Sequence, residues 1–586
     1  MPLDSTERQS AFDPTNIVPG FVAVALSVLL TRLWFLQIVR GEELSRAAEK
    51  RTEIKTTIPA PRGMITDRFG RPLATVKPML AAFAVPEEML KQPSAISKLA
   101  KIIDEPADEL TDLLKKNSFR KHLPMVVKAG ITMEQAVAVE EQKLYLPGTS
   151  VSTVTVRSYP AKGSCAHVVG YVGNLSKEDL ERYEANGLTP PTFVGKSGIE
   201  RRYDLKLCGE SGVERVTVDS RNRKTGLPER SNSVTGDKLI LTIDLQLQRR
   251  AEQMLAGHKG AIVALKPTTG EVLCLASGPS FDPNIFTKKV STADWNRIGL
   301  SPAKPMLNRA TSGTFAPGST MKMLSLIAAV KAGVVTPHTS FVCKGKMEVG
   351  GTVFRCLGTH GTVDYEKAIR ESCNIYFANL ALKMQRADFV TQLQDFGFGA
   401  PTGVDLLSEV KGIIPTDELV VQRKAKWFRG DNMNLAVGQG VLQVTPLQMA
   451  HYASVLANDG VGYRPTILLS RVPSTPGGGK PNQFVPEVGT RIDLPPEWWS
   501  RIRQSMVNVV ETGTGHRAKI AGVRIAGKTG SADWDSRRRS HAWFIGYAPA
   551  DNPQIAFAIV IEAVGRGGTE AAPLAGELVQ TFLNTR

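Results

Sequence analysis

The sequence predicts an α+β protein carried on a single amino-terminal apolar helix. Residues 260–265 and 271–276, joined by Lys266-Pro267-Thr268-Thr269-Gly270, read as one hairpin, and residues 543–548 and 555–561 as a second pair of strands. A long region of helical patterning lies between them, which implies a sheet assembled from both ends of a domain with helices packed on it. Residues 18–39 read VPGFVAVALSVLLTRLWFLQIV, an almost unbroken apolar run.

That run has the length of about 20 residues that a helix needs to cross the hydrocarbon core. It ends in Arg40-Gly41-Glu42-Glu43 with no small-residue cleavage site, so it reads as an uncleaved anchor over 17–39 rather than a removed signal peptide. Arg32 interrupts it near one end, where a long side chain snorkels to the interface beside Trp34. Basic residues after the run (Arg40, Arg46, Lys50, Arg51) outnumber those before it, which does not favour a cytoplasmic tail at 1–16. That orientation rests on the chemistry below, since long domains translocate largely regardless of such flanks.

A chain of 586 residues exceeds one hydrophobic core. With 42% hydrophobic and 22% charged residues it has the composition of a folded protein. The net charge of +16 invites a nucleic-acid reading. The basic residues are dispersed, however, apart from runs such as Arg537-Arg538-Arg539, and no zinc-finger or aromatic-basic ribonucleoprotein pattern occurs. No nucleic-acid partner is expected.

After the anchor, Pro61 to Gly70 has the turn chemistry of Pro and Gly around short β-prone pieces, and residues 86–145 read as helical. Polar Gly-rich stretches near 185–198 and 220–236 place a boundary at 236/237, giving a non-catalytic domain over 40–236 and a second domain over 237–586. Residues 473–480 read as a surface linker. Arg537–Arg539 and His541 read as surface residues of a strand connection.

Three short motifs matter, and none is specific alone. Ser-x-x-Lys occurs at Ser319–Lys322, Ser301–Lys304 and Ser408–Lys411; Lys-Thr-Gly at 528–530 and 224–226; Ser-x-Asn at 372–374 and 220–222. Context separates them. Ser319 follows a Pro-Gly turn and opens an apolar helix, where a spacing of three puts Lys322 on the same face. A serine hydroxyl needs a base, and a lysine held in a dry pocket loses its proton near neutral pH. Ser301–Lys304 contains Pro302, and Ser408–Lys411 runs into Gly412 and Pro415. Lys528-Thr529-Gly530 ends an apolar run that fits a strand, whereas Lys224 lies in a polar stretch ahead of the serine.

In that order and at those gaps, Ser319–Lys322, Ser372–Asn374 and Lys528–Gly530 resemble the penicillin-binding protein and serine β-lactamase superfamily. Further stretches resemble its class B members: Pro61-Arg62-Gly63 through Gly70, Arg157-Ser158-Tyr159-Pro160, Gly195 to Glu200, Leu241 to Asp244, Ala276-Ser277 to Asn284, Gly438-Gln439-Gly440 with Thr445-Pro446, and Ala542 to Gly546. The resemblance implies an elongated pedestal domain and a transpeptidase domain with an antiparallel sheet and flanking helices. It implies Ser319 as acylated nucleophile, Lys322 as base, Ser372 as proton relay, Asn374 as holder of the donor amide, Lys528 and Thr529 as binders of the terminal carboxylate, and Gly530 as the residue that lets the substrate pair along the strand. The N–H groups of Ser319 and Ser531 would form the oxyanion hole. The reaction would be peptidoglycan D,D-transpeptidation with release of D-Ala, requiring no cofactor, on the extracytoplasmic side of a bacterial cytoplasmic membrane. β-lactams would be covalent inhibitors, and a polytopic glycan polymerase of the shape, elongation, division and sporulation group a partner.

His167 to Val172 with Gly195 to Glu200 looks more like the elongation-type penicillin-binding protein 2 group than the division type, which stands as the alternative. A non-enzymatic β-lactam sensor or scaffold is the other. Against it, all three motifs are intact and no multi-span transducer is present. A β-lactamase is disfavoured by the anchor and by the lack of a Glu-x-x-Leu-Asn motif. Cys343, Cys356, His360 and Cys373 form C-x12-C-x3-H-x12-C, four ligands that suit structural tetrahedral zinc. A Cys343–Cys356 disulfide and unpaired buried thiols are the alternatives.

Overall fold

The computed structural model describes residues 17–44, 53–116, 124–191, 193–217, 227–288, 290–422, 426–474, 480–533 and 540–585. Arg537–Arg539, Lys224–Gly226, Ser220–Asn222, the proposed tail and most of the 473–480 linker lie outside these residues. The chain divides into two compact units, one of residues 1–59 and 211–233 and the other of 60–210 and 234–586.

In the first unit the apolar run forms an α-helix, Ile17–Trp34, continued by a π-helical turn, Phe35–Val39. None of the stretch from Pro19 to Val39 is buried. An antiparallel sheet follows, in which Gly212–Thr217 pairs with both Glu53–Ile58 and Glu229–Ser231.

The second unit holds two large sheets. One is built on Pro72–Ala84, which pairs antiparallel with Thr149–Ser158 along its length. The helical reading of 86–145 holds for Pro86–Leu90, Pro93–Ile103, Ala107–Lys116 and Met133–Glu141. It fails at Met125–Ala129, a strand against the end of Pro72–Ala84. The local Val-Val pair favours the pleated surface and the available sheet edge decides the outcome. Lys238–Leu241 joins this same sheet, parallel to Ile65–Thr66 and antiparallel to Leu468–Val472.

The segments near these strands are tied by buried charge. Glu200 accepts from Arg62 Nε at 2.7 Å and Arg157 Nε at 2.6 Å, while Arg62 also reaches Asp204 at 2.8 Å. Burial by itself would push the Glu200 carboxyl up. The Arg157 and Arg62 guanidiniums outweigh it and hold the group below the usual carboxylate range. Tyr159 joins through its hydroxyl, and Asn284 brackets the Tyr159 backbone with two hydrogen bonds of 2.9 Å. Three of the quoted class B stretches therefore meet around one carboxylate, and a fourth is tied to them through the Tyr159 backbone.

The other sheet is the predicted one. Its strands are β1 (Gly260–Leu265), β2 (Val272–Gly278), β3 (Ala526–Asp533), β4 (Ser540–Ala548) and β5 (Ile555–Ile561), in the order β2-β1-β5-β4-β3 and antiparallel throughout. Both predicted pairings, β1 with β2 and β4 with β5, are present. Side chains alternate between two cores. Trp543, Ile545, Tyr547, Ala556, Ala558 and Val560 face one, while Ala542, Phe544, Phe557 and Ile559 face the other. A sheet covered on both faces needs apolar residues at every position, which explains the unbroken apolar runs. On the first face sits the helix Pro446–Ala457, buried along its whole length and opened by a Thr445–Gln448 capping box. On the second lies Gly567–Asn584, which packs on β3, β4 and β5.

Candidate active site

The chain enters the site through a tight turn. Gly318 has φ +58°, and a Cβ on it would lie 2.7 Å from the Ser531 carbonyl oxygen, so only glycine lets the serine loop close on β3. Gly438 does the same from the other side: a Cβ there would meet the Gly318 carbonyl at 2.2 Å, and Gly318 N–H donates to the Gly438 carbonyl at 2.9 Å. Trp543 Nε1 donates to the Ala316 carbonyl at 3.0 Å. Ser319 is thus held beside Ser531 on a 3-10 turn, Gly318–Met321, which runs into the helix Lys322–Lys331.

Both lysines are fully buried, at 0% exposure. Lys322 Nζ lies 2.7 Å from the Ser372 carbonyl oxygen, 3.1 Å from Ser372 Oγ and 2.8 Å from Asn374 Oδ1. Lys528 Nζ lies 3.1 Å from the same Ser372 Oγ and 2.9 Å from the Thr529 carbonyl oxygen. Neither amine has a carboxylate partner among these contacts. Burial pushes Lys322 down to about 7. Burial, reinforced by the nearby Lys322, pushes Lys528 well below the usual lysine range. The Lys322 amine donates to all three of these oxygens, and once neutral it has a lone pair with which to take a hydroxyl proton.

Ser372 occupies a left-handed conformation, φ +55°, which is uncommon for a residue with a Cβ and recurs where function over-determines the backbone. It ends the turn after Tyr365–Arg370, and Asn374 opens the helix Asn374–Ala381. Asn374 Nδ2 donates to the Arg355 carbonyl at 3.2 Å, and its N–H donates to Cys356 Sγ at 3.2 Å.

On β3, the edge strand, Thr529 Oγ1 lies 2.7 Å from Thr514 Oγ1. A Cβ at Gly530 would meet the Pro317 carbonyl at 2.9 Å and Trp543 Cβ at 3.1 Å, so glycine lets the strand lie against the serine loop. Ser531 Oγ accepts from Gly567 N–H at 3.2 Å, and its carbonyl from Gln439 Nε2 at 3.3 Å. An edge strand leaves alternate N–H and C=O groups for an extended peptide.

Lys322, Ser372, Asn374 and Lys528 are therefore one hydrogen-bonded cluster, and Ser319, Gly530 and Ser531 pack beside it. The Ser319 hydroxyl makes no hydrogen bond among the described residues. The competing Ser301–Lys304 and Ser408–Lys411 pairs lie in irregular segments. His541, expected on a surface connection, is buried on β4 with its ring edge-on to Phe315 at 5.2 Å. The strand continues through it and closes over that side of the loop. Gly318, Thr514 and Trp543 were not singled out by spacing. For Gly318, the preceding Pro was the one local sign.

Cys343, Cys356, His360 and Cys373 also converge, their ligand atoms all within 4.8 Å of one another. The three thiols are unbonded, so no Cys343–Cys356 disulfide is present. His360 Nδ1 lies 3.4 Å from Cys343 Sγ and 3.5 Å from Cys356 Sγ, while its Nε2 faces Glu371 Oε2 at 4.0 Å. Cys356 Sγ and Cys373 Sγ lie 3.8 Å apart, and the hydrogen bond between them holds Cys356 below the ordinary thiol range. Three sulfurs and one imidazole nitrogen turned to a common centre, with a carboxylate behind the imidazole, fit tetrahedral zinc.

Residues 260–580 match the penicillin binding protein transpeptidase domain, and residues 57–241 the penicillin-binding protein dimerisation domain. The chain belongs to the penicillin-binding protein transpeptidase family. Among relatives of this penicillin-binding protein, the peptidoglycan D,D-transpeptidase MrdA of Acinetobacter baumannii is 33% identical, over 97% of this chain and 87% of its own length. Solved structures resemble it as well, two of them as follows. The complex between penicillin-binding protein PBP2 and MreC from Helicobacter pylori has a TM-score of 0.78 at 26% identity, covering 91% of this chain and 99% of that one. A peptidoglycan synthase complex that coordinates polymerization and crosslinking has a TM-score of 0.72 at 27% identity, covering 98% and 99%.

Proposed function

We infer that this chain is a peptidoglycan D,D-transpeptidase of the elongation type, acting through a Ser319 acyl-enzyme. The observation that carries the roles is the pair of buried, carboxylate-free lysines sharing Ser372 Oγ beside Ser319. Neutral Lys322 takes the Ser319 proton as Oγ attacks the penultimate D-Ala carbonyl. The N–H groups of Ser319 and Ser531 receive the oxyanion, where fixed donors stabilise charge that develops in the transition state. The C–N bond breaks as Ser372 passes its proton to the departing D-Ala nitrogen and takes in its place the one Lys322 received, which leaves Lys322 neutral again. The amine of a neighbouring stem peptide then attacks the ester, gives its proton to Lys322, and the serine oxygen leaves reprotonated.

Asn374 holds the donor amide. Thr529 and the edge of β3 receive the carboxylate end, Gly530 allowing close approach. Lys528, expected to bind the carboxylate, is buried with its amine on Ser372 Oγ and the Thr529 carbonyl, and we assign it a role from behind through them. The expected test is fluorescent-penicillin labelling: wild type forms a covalent adduct and Ser319→Ala forms none. An adduct in the variant would move the nucleophile elsewhere.

We place the helix at 17–39 in the bacterial cytoplasmic membrane, residues 1–16 in the cytoplasm, and the pedestal (40–236) and transpeptidase domain (237–586) outside. The two solved structures support an MreC-type partner and a membrane glycan polymerase, which delivers strands beside this active site.

We also propose that Cys343, Cys356, His360 and Cys373 hold one structural zinc, which would brace the Ser372–Asn374 turn through Cys373. Purified protein is expected to carry one equivalent of zinc. Cys343→Ser is expected to lose the metal and unfold at lower temperature. A metal-free wild type whose unfolding does not respond to zinc contradicts the assignment.

A further inference from the structure

One residue bridges the two walls of the cleft without belonging to any of the three motifs. Thr514 follows the helix Pro496–Glu511. Its N–H donates to the Arg370 carbonyl at 3.3 Å, two residues before Ser372, and its hydroxyl lies 2.7 Å from Thr529 Oγ1 on β3. Three glycines fix it there. A Cβ on Gly513 would lie 2.6 Å from the Arg370 carbonyl oxygen, and one on Gly568 would lie 2.5 Å from the Thr514 carbonyl oxygen. Gly515 N–H donates to Val509 at 2.9 Å. The backbone around Thr514 has no room to slide, so its hydroxyl is presented to Thr529 at a set position.

The direction of the bond between the two hydroxyls matters for recognition. A carboxylate only accepts, so Thr529 engages one only with its single proton turned into the cleft. That proton is then unavailable to Thr514, and the bond must run from Thr514 to Thr529. We propose that Thr514 is a positioning residue for substrate carboxylate recognition: its hydroxyl donates to Thr529 Oγ1 and leaves the Thr529 proton aimed at the acyl donor's terminal carboxylate. This rests on the assignment of Thr529 to the carboxylate end. A donor chain of this kind also strengthens the terminal bond, because each hydroxyl polarises the next.

The test compares acylation of Ser319 by a penicillin and by its methyl ester, which lacks the carboxylate charge, in wild type, Thr514→Val and Thr514→Ser. The preference for the free carboxylate is expected to fall roughly ten- to a hundredfold in Thr514→Val, the size of one hydrogen bond to a charged group. Thr514→Ser is expected to restore it. A merely structural role would slow both compounds alike and leave the preference unchanged, which would overturn the proposal. So would an unchanged preference with unchanged rates. A wild type acylated by neither compound would instead overturn the serine acyl-enzyme reading, and this inference with it.

Discussion

Lys322→Met is expected to fold and to lose acylation by about a thousandfold or more, the upper range for a positioned base. Methionine has nearly the volume of lysine, and the site is fully buried, so the packing survives. What disappears is the amine that bridges Ser372 and Asn374. The same amine sets the pH profile of the wild type. Burial lowers its pKa to about 7, so below that value it is an ammonium with no lone pair to offer. The acylation rate is expected to rise about tenfold per pH unit up to a midpoint near 7 and to level off above it. A rate independent of pH between 6 and 8, or a methionine variant that acylates normally, would remove Lys322 from the role of base.

The largest loss of stability is expected at Glu200. Its carboxylate lies at 0% exposure between the Arg62 and Arg157 guanidiniums, and Arg62 Nη1 and Arg157 Nη2 have no partner among the described residues. Removing the central charge strands the Arg157 cation and leaves Arg62 with Asp204 alone, whereas the intact pair is not itself strongly stabilising. Glu200→Gln is therefore expected to cost about 3–5 kcal/mol, the range for breaking a buried pair. Urea unfolding of this second unit, followed by fluorescence, would measure it. A cost below about 1 kcal/mol would show that water or a rearranged Asp204 relieves the arginines.

The residues of both sites were visible in the sequence, but their meetings were not. Ser319 and Lys322 share a helix turn, so spacing alone gave their relation. Lys528 and Ser372 are 156 residues apart, and only the packing of β3 beside the Ser372 turn puts their side chains 3.1 Å from each other. Arg62, Arg157 and Glu200 each lay in a stretch that resembled the family, yet nothing local marks them as one ion cluster. The sheet was legible because both of its faces are covered, which writes unbroken apolar runs into β1, β4 and β5. Met125–Ala129 was misread because its partner strand begins more than forty residues earlier, and a five-residue segment is too short to show a period of its own. Thr514 had no sequence signal at all. Its role comes from three glycines and a hydroxyl contact.

The claim that this site crosslinks rather than trims is tested most directly by mass spectrometry of products from a purified, membrane-reconstituted chain. The substrates are a stem-peptide donor ending in D-Ala-D-Ala and an amine-bearing acceptor peptide. The account predicts a crosslinked product with one D-Ala released per bond formed, and neither with Ser319→Ala. Release of D-Ala with hydrolysed donor and no crosslink would contradict it and make the protein a carboxypeptidase.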